Sequence, residues 1–267
     1  MRIILLGHKE IYSNLALSLV VKQLPGHDLR IFLADEATHN DPRPGTIERL
    51  EQYESRLCDN LLTLAVSQTH RRSVILSFDE LAEETGKPIG RLALPNSGEG
   101  LAVLKDLAPD LIVSLRYRKI LHDEAIAIPR YGVLNLHSGL LPAYRGAMAT
   151  FWALLNGDTE IGSTLHYIVD GTIDTGPVVG RARIPLAHER SYMASVLDLY
   201  PSGCAMVLAA IGAIENDRVA PSHKQQGKGQ YFSWPTQDQV DGYLEQGYRF
   251  YGDHELEDFV ASQAGSR

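Results

Sequence analysis

The chain has 267 residues, 44% of them hydrophobic and 22% charged, the proportions of an ordinary folded protein with ample length for a core. Its formal net charge is −8 at pH 7, with basic residues scattered among acids, which disfavours nucleic acid or an anionic membrane as a partner. Cys58 and Cys204 lie far apart without metal-ligand spacing and are expected as thiols in a reducing compartment. The apolar run Ile3-Ile4-Leu5-Leu6 is too short for a signal-peptide core, and no stretch approaches the length of a membrane span, so a cytoplasmic location is expected.

Residues 2–7 read as a buried strand closed by Gly7, followed by a helix over about Ser13–Leu24 and a strand over Leu29–Ala34. Strand, glycine turn, helix and strand open a doubly wound parallel sheet. Amphipathic patterning predicts helices over Thr46–Ser67 and Phe78–Thr85, with a weaker strand over Ile89–Leu94. Leu101–Leu107 is a short helix, and Asp110–Leu115 is an almost continuously apolar strand of the kind covered on both faces. Leu121–Ile128 reads as helix ending before Pro129, Gly132–His137 as strand, and Ala147–Asn156 as helix capped by Gly157. Strands over Ser163–Val169 and Val178–Ile184 follow, then a long helix over Arg190–Asn216, with a break expected near Pro201-Ser202-Gly203, and a tail helix from Gln237. The expectation is an α/β fold with a doubly wound, mostly parallel sheet: a catalytic domain over 1–204 and a helical extension over 205–267 packed on it.

Chemistry concentrates in two segments. In Asn135-Leu136-His137-Ser138-Gly139, alternate strand residues share a face, so Asn135 and His137 project together where the strand stops. In open α/β sheets that end is where ligands sit. An amide beside an imidazole suits acyl transfer, the amide for a developing oxyanion and the ring for a proton. Taken alone, the pair reads more readily as two side chains tying down a turn by hydrogen bonds. Asp170-Gly171-Thr172-Ile173-Asp174-Thr175-Gly176-Pro177 is good turn chemistry, yet it places a carboxylate able to orient a histidine. The two segments meet if both loops leave the sheet at the same end. His166 shares a strand face with Thr164 and either lines that pocket or packs. The other histidines, His8, His27, His39, His70, His122, His188, His223 and His254, show no metal spacing and read mostly as surface residues.

Together these motifs resemble the folate-dependent formyltransferases, the family of the glycinamide ribonucleotide, methionyl-tRNA and amino-sugar enzymes. Asn135, His137, Leu140-Leu141-Pro142, Arg145-Gly146, Gly157-Asp158, Gly162, His166 and Ile173-Asp174-Thr175-Gly176 stand in register with that pattern, from about Asp110 to Pro185. The resemblance implies a Rossmann-like formyltransferase fold and 10-formyltetrahydrofolate as co-substrate, with no metal. By it, Asn135 would polarise the formyl oxygen, His137 would assist proton transfer, and Asp174 would hold His137 in its useful state. The pterin would slot between Tyr117, Arg118, Lys119, Ile120 and Leu121 on one side and Val169, Asp170, Gly171, Thr172 and Ile173 on the other. The chain departs from the family in Ser138-Gly139, where a small residue or proline and then serine is usual, and in lacking the phosphate-binding glycines after Gly7.

For the acceptor, the acidic stretches Asp238–Glu245 and Asp253–Asp258 and the net charge argue against tRNA. The Asn40–Lys87 region reads as an insertion or divergence relative to the purine-pathway enzymes. A small-molecule amine is expected, either a nucleotide-linked amino sugar or an amino-acid derivative such as hydroxyornithine, and a homodimer is compatible with this. Two alternatives stand beside it: a 10-formyltetrahydrofolate hydrolase, and a non-catalytic folate-binding protein, which would be expected to lack one of Asn135, His137 or Asp174.

Overall fold

The computed structural model describes residues 1–34, 43–59, 75–217, 219–227 and 229–264. The chain opens with strand β1 (Arg2–Gly7), followed by α1 (Ile11–Val21) and β2 (Asp28–Leu33). Next come α2 (Gly45–Asp59), α3 (Phe78–Thr85), β3 (Gly90–Arg91), α4 (Gly98–Leu107) and β4 (Leu111–Ser114). The second half holds α5 (Asp123–Ile126), β5 (Val133–His137), β6 (Tyr144–Gly146), α6 (Ala149–Leu155), β7 (Glu160–Ile168) and β8 (Val178–Pro185). The chain continues through α7 (Tyr192–Leu197), α8 (Tyr200–Asp217), β9 (Gln230–Phe232), α9 (Gln237–Glu245) and α10 (Glu255–Ala264).

Seven strands form one sheet in the order β3-β2-β1-β4-β5-β7-β8. The neighbours from β3 through β5 pair in parallel, and β7 pairs antiparallel with both β5 and β8. The mostly parallel α/β sheet expected from the sequence is therefore present. The apolar runs of β1 and β4 follow from helices on both faces. Ile3, Leu5, Leu111 and Val113 fall in one buried cluster, and Ile4, Leu6 and Ile112 in another on the opposite face.

Local signals explain several boundaries. A capping box between Ser77 and Glu80 starts α3, and left-handed Gly86 ends it. Helix α1 begins at Ile11, two residues earlier than expected, because the Glu10 carboxylate accepts from the Tyr12 and Ser13 N–H groups. The strand expected over Ile89–Leu94 shrinks to Gly90–Arg91 at the sheet edge. The expected helix over Arg190–Asn216 breaks at Asp198-Leu199 rather than at Pro201, which sits in the first turn of α8, where its missing N–H costs nothing. The final part of the Thr46–Ser67 helix lies outside the described residues, as do His39 and His70.

Three sequence expectations need correction. Helix α8 runs unbroken across 204/205, and Val240, Tyr243, Phe250, Leu256 and Phe259 join the same buried cluster as the sheet, so no seam in the fold falls at 204. Moreover, Tyr192–Asn216 is long and apolar enough by composition to cross a membrane, although half of it is buried inside the fold, as core helices are. His8, read as a surface residue, is buried.

Candidate active site

Strand β5 brings Asn135 and His137 to one face, while Leu134 and Leu136 enter the core. Asn135 lies between Ser114 of β4 and His166 of β7. Because β7 is antiparallel, the loop after it leaves beside Val133, at the far end of β5 from His137. The sequence condition that both loops leave at the same end is thus not met. The loop instead folds back across the sheet face and delivers Asp174 to the histidines.

There Asp174 Oδ2 lies 3.5 Å from His137 Nδ1 and Oδ1 lies 3.4 Å from His166 Nε2. The Gly146 N–H of β6 donates to Oδ2 at 2.9 Å. His137 Nε2 is 2.7 Å from the Tyr144 carbonyl, which only accepts, so Nε2 carries a hydrogen and Nδ1 is the basic nitrogen facing Asp174. By the same reasoning His166 Nδ1 donates to the Tyr167 carbonyl at 3.0 Å, and its Nε2 stands between Asn135 Nδ2 at 3.1 Å and Asp174 Oδ1 at 3.4 Å. With two amide hydrogens, Asn135 keeps at least one N–H for a ligand. Gly139 is required here, since a Cβ at that position would stand 2.5 Å from His137 Nε2 and 2.6 Å from the Ala149 Cβ.

Burial alone would raise the Asp174 carboxyl, but the facing His137, then His166 and the Gly146 N–H, outweigh it and hold the group at about 2. Asp174 is therefore a fixed anion at neutral pH beside a ring nitrogen able to take a proton.

A cavity of about 440 Å³ runs past these groups. Tyr117, Arg118, Lys119, Ile120 and Leu121 line one side and Asp170, Gly171, Thr172 and Ile173 the other, together with Asn135, His137, His166 and Asp174. Val169, expected in this set, is absent from the cavity lining and is 54% exposed. Ile120 and Ile173 stay 48% and 38% exposed at the slot between the two loops, an apolar surface suited to a flat heterocycle. Tyr117 is buried, and its hydroxyl donates to the Leu92 carbonyl, so it shapes the loop more than the cavity surface.

The remaining cavity wall was not singled out from the sequence. Arg116 Nε lies 3.2 Å from Glu10, and Arg118 lies 2.7 Å from Glu51 and 3.7 Å from Glu54. Arg43 lies 2.5 Å from Glu51, with its guanidinium 3.7 Å from the centre of the Trp234 ring. Burial pushes the Glu54 carboxyl up to about 7, with Arg116 and Arg118 pulling against it and Glu10 adding to it. Tyr192, Tyr231 and Trp234 complete the wall. Among the described residues, no three His, Cys, Asp or Glu side chains are grouped to hold a metal ion.

A mostly parallel α/β sheet thus carries an amide, an imidazole and a carboxylate that converge beside a two-loop slot, an arrangement suited to acyl transfer. Residues 95–199 match the family described as Formyl transferase, bearing out the resemblance seen in the motifs. The methionyl-tRNA formyltransferase of Synechococcus sp. (strain JA-3-3Ab) is 32% identical over 154 residues, which cover 57% of this chain and 47% of that protein. The chain spans about half the length of the curated relatives it matches. In fold it is similar to glycinamide ribonucleotide transformylase 1 from Symbiobacterium toebii (TM-score 0.59, 16% identity, 85% of this chain and 94% of that one). It is similar also to the N-formyltransferase from Helicobacter canadensis, solved with folinic acid and dTDP-3-aminofucose (TM-score 0.57, 19% identity, 95% and 84%).

Proposed function

We propose that this protein transfers a formyl group from 10-formyltetrahydrofolate to the amine of a small metabolite. The observation that carries the reading is the convergence of Asn135, His137 and Asp174 on one cavity, within hydrogen-bonding or ion-pair reach of one another or of a shared partner. Bound between the 117–121 and 170–173 loops, the folate supplies an activated formyl carbon. The free Asn135 N–H donates to the formyl oxygen and stabilises the charge developing there. His137 Nδ1 takes the proton released by the attacking amine, and anionic Asp174 stabilises the resulting imidazolium. These roles need no metal.

Of the two small acceptor classes, the wall favours the amino-acid derivative. The N–H groups that open α1, the natural seat for a phosphate, are already occupied by Glu10. The guanidiniums of Arg43, Arg116 and Arg118 each face a carboxyl group among Glu10, Glu51 and Glu54, leaving a wall whose charges are largely paired. A nucleotide diphosphate would bring net negative charge into that buried setting. A zwitterionic head exchanges into it with no net change, its carboxylate toward arginine and its ammonium toward Glu54. The net charge of −8 likewise supports a small acceptor over tRNA.

The test is deformylation of 10-formyltetrahydrofolate, followed by absorbance, against hydroxyornithine, amino-sugar nucleotides, glycinamide ribonucleotide, methionyl-tRNA and water alone. Turnover with hydroxyornithine or a related amino acid is expected. Turnover with water alone would replace the proposal by a hydrolase, and folate binding with silence across the panel by a binding protein. Absence of folate binding would sink the reading altogether.

A further inference from the structure

Asp174 adopts φ +56°, the left-handed region that residues bearing a side chain enter rarely, so its neighbours must hold it there. Its carboxylate is gripped by the Gly146 N–H. Its backbone is gripped from a segment distant in the chain. Gln225 Nε2 donates to the Asp174 carbonyl at 2.8 Å and to the Gly176 carbonyl at 2.9 Å. Both partners only accept, so the amide nitrogen must be the end that faces them, with each of its hydrogens engaged. Gln225 is itself anchored. Two residues earlier, His223 exchanges both backbone hydrogen bonds with Val178 at 2.8 and 2.9 Å, where the Asp174 loop rejoins β8. The loop has no slack at this point, since a Cβ at Gly176 would fall 1.8 Å from the Tyr167 carbonyl oxygen.

We propose that Gln225 is a positioning residue: by clamping the carbonyls on either side of the Asp174–Gly176 turn, it fixes the aspartate against His137. Gln225 does not touch the reacting atoms. The inference rests on the formyl-transfer reading for its effect on rate, and on geometry alone for its effect on the loop.

Gln225→Leu removes both donors. Gln225→Glu keeps the shape but, when ionised, turns only acceptors toward two carbonyls, and when protonated it recovers one donor. Gln225→Leu is expected to lower kcat about a hundredfold, the scale of a misplaced catalytic group, at every pH. Gln225→Glu is expected to match that loss near pH ~8 and to recover toward about tenfold below wild type at the same pH only as pH falls toward the ordinary glutamate range, where its carboxyl protonates. KM for the folate should stay within about threefold in both variants. Amide exchange across 170–177 should quicken about tenfold in Gln225→Leu while exchange in β1 and β4 is unchanged. Wild-type turnover and exchange in both variants would overturn the proposal, as would equal, pH-independent losses accompanied by faster exchange throughout the sheet. If the wild-type protein transferred its formyl group to no amine, the functional reading would fall by itself. Exchange in the 170–177 loop would still decide whether Gln225 holds it.

Discussion

Asp174 and Glu54 line the same cavity, and both side chains are nearly inaccessible, yet their carboxyls are driven in opposite directions. Burial opposes ionisation of each. Asp174 faces two imidazoles and a backbone N–H and is held at about 2. Glu54 shares its arginines with Glu10 and Glu51 and is pushed up to about 7. Burial alone thus does not set a buried acid's state; what matters is whether its counter-charges are its own or divided among rivals. One acid becomes a permanent anion suited to catalysis, while the other stands near the edge of neutrality and can respond to an incoming ammonium.

The comparison breaks most visibly at Asp174. Asp174→Asn should lower kcat about a thousandfold, as loss of the charge that supports an imidazolium does. Steady-state formyl release within tenfold of wild type would remove Asp174 from the mechanism. Asn135→Ala should cost about a hundredfold in kcat, the usual worth of one oxyanion donor, with folate affinity retained in a binding titration.

The stability consequences sharpen the contrast. Because the folded-state pKa of Asp174 is depressed, its contribution is present above the ordinary aspartate range and fades only as pH falls toward 2. The Glu54 pKa is raised, so its contribution is complete below the ordinary glutamate range and is lost as pH rises through about 7. Denaturant titrations from pH 5 to 8 should show this second loss, about 2 kcal/mol, and Glu54→Gln should flatten it. A variant with the wild-type slope would show that Glu54 does not titrate differently on folding in this range. The smallest effect is expected at Arg43→Ala, which removes the Glu51 contact and the stack on Trp234, at about 1 kcal/mol by the same titration.

What the sequence revealed followed from periodicity and end signals. The β1–α1–β2 opening, the apolar β4 and the capped helix Phe78–Thr85 are written into short windows, and the alternation at Asn135 and His137 placed both on one face. Strand direction is not encoded that way: the pattern of β7 is the same read in either sense, so its antiparallel course and the fold-back of the Asp174 loop were hidden. Strands β6 and β9, with three residues each, are too short to carry a period. Glu10, Glu54 and Arg116 look like solvated charges until the fold buries them together, and Gln225 sits in the polar run Lys224-Gln225-Gln226 with nothing to mark it. Val169 belongs to the loop that the family resemblance implies for the slot, yet it is 54% exposed and lies outside the cavity lining.

Strand β9 lies alongside β6 through Tyr144–Gln230, Arg145–Tyr231 and Gly146–Phe232, and the Ala147 N–H donates to the Phe232 carbonyl. During synthesis, every strand of the large sheet has been made before this short ribbon can close. A nascent chain that has reached β8 therefore already contains the two loops of the slot. It lacks Tyr231 and Trp234, and the Gly146 amide that meets Asp174 has no β9 behind it. Completion of the cavity is in this sense a late event in the life of the chain, dependent on residues far along the sequence from Asn135, His137 and Asp174.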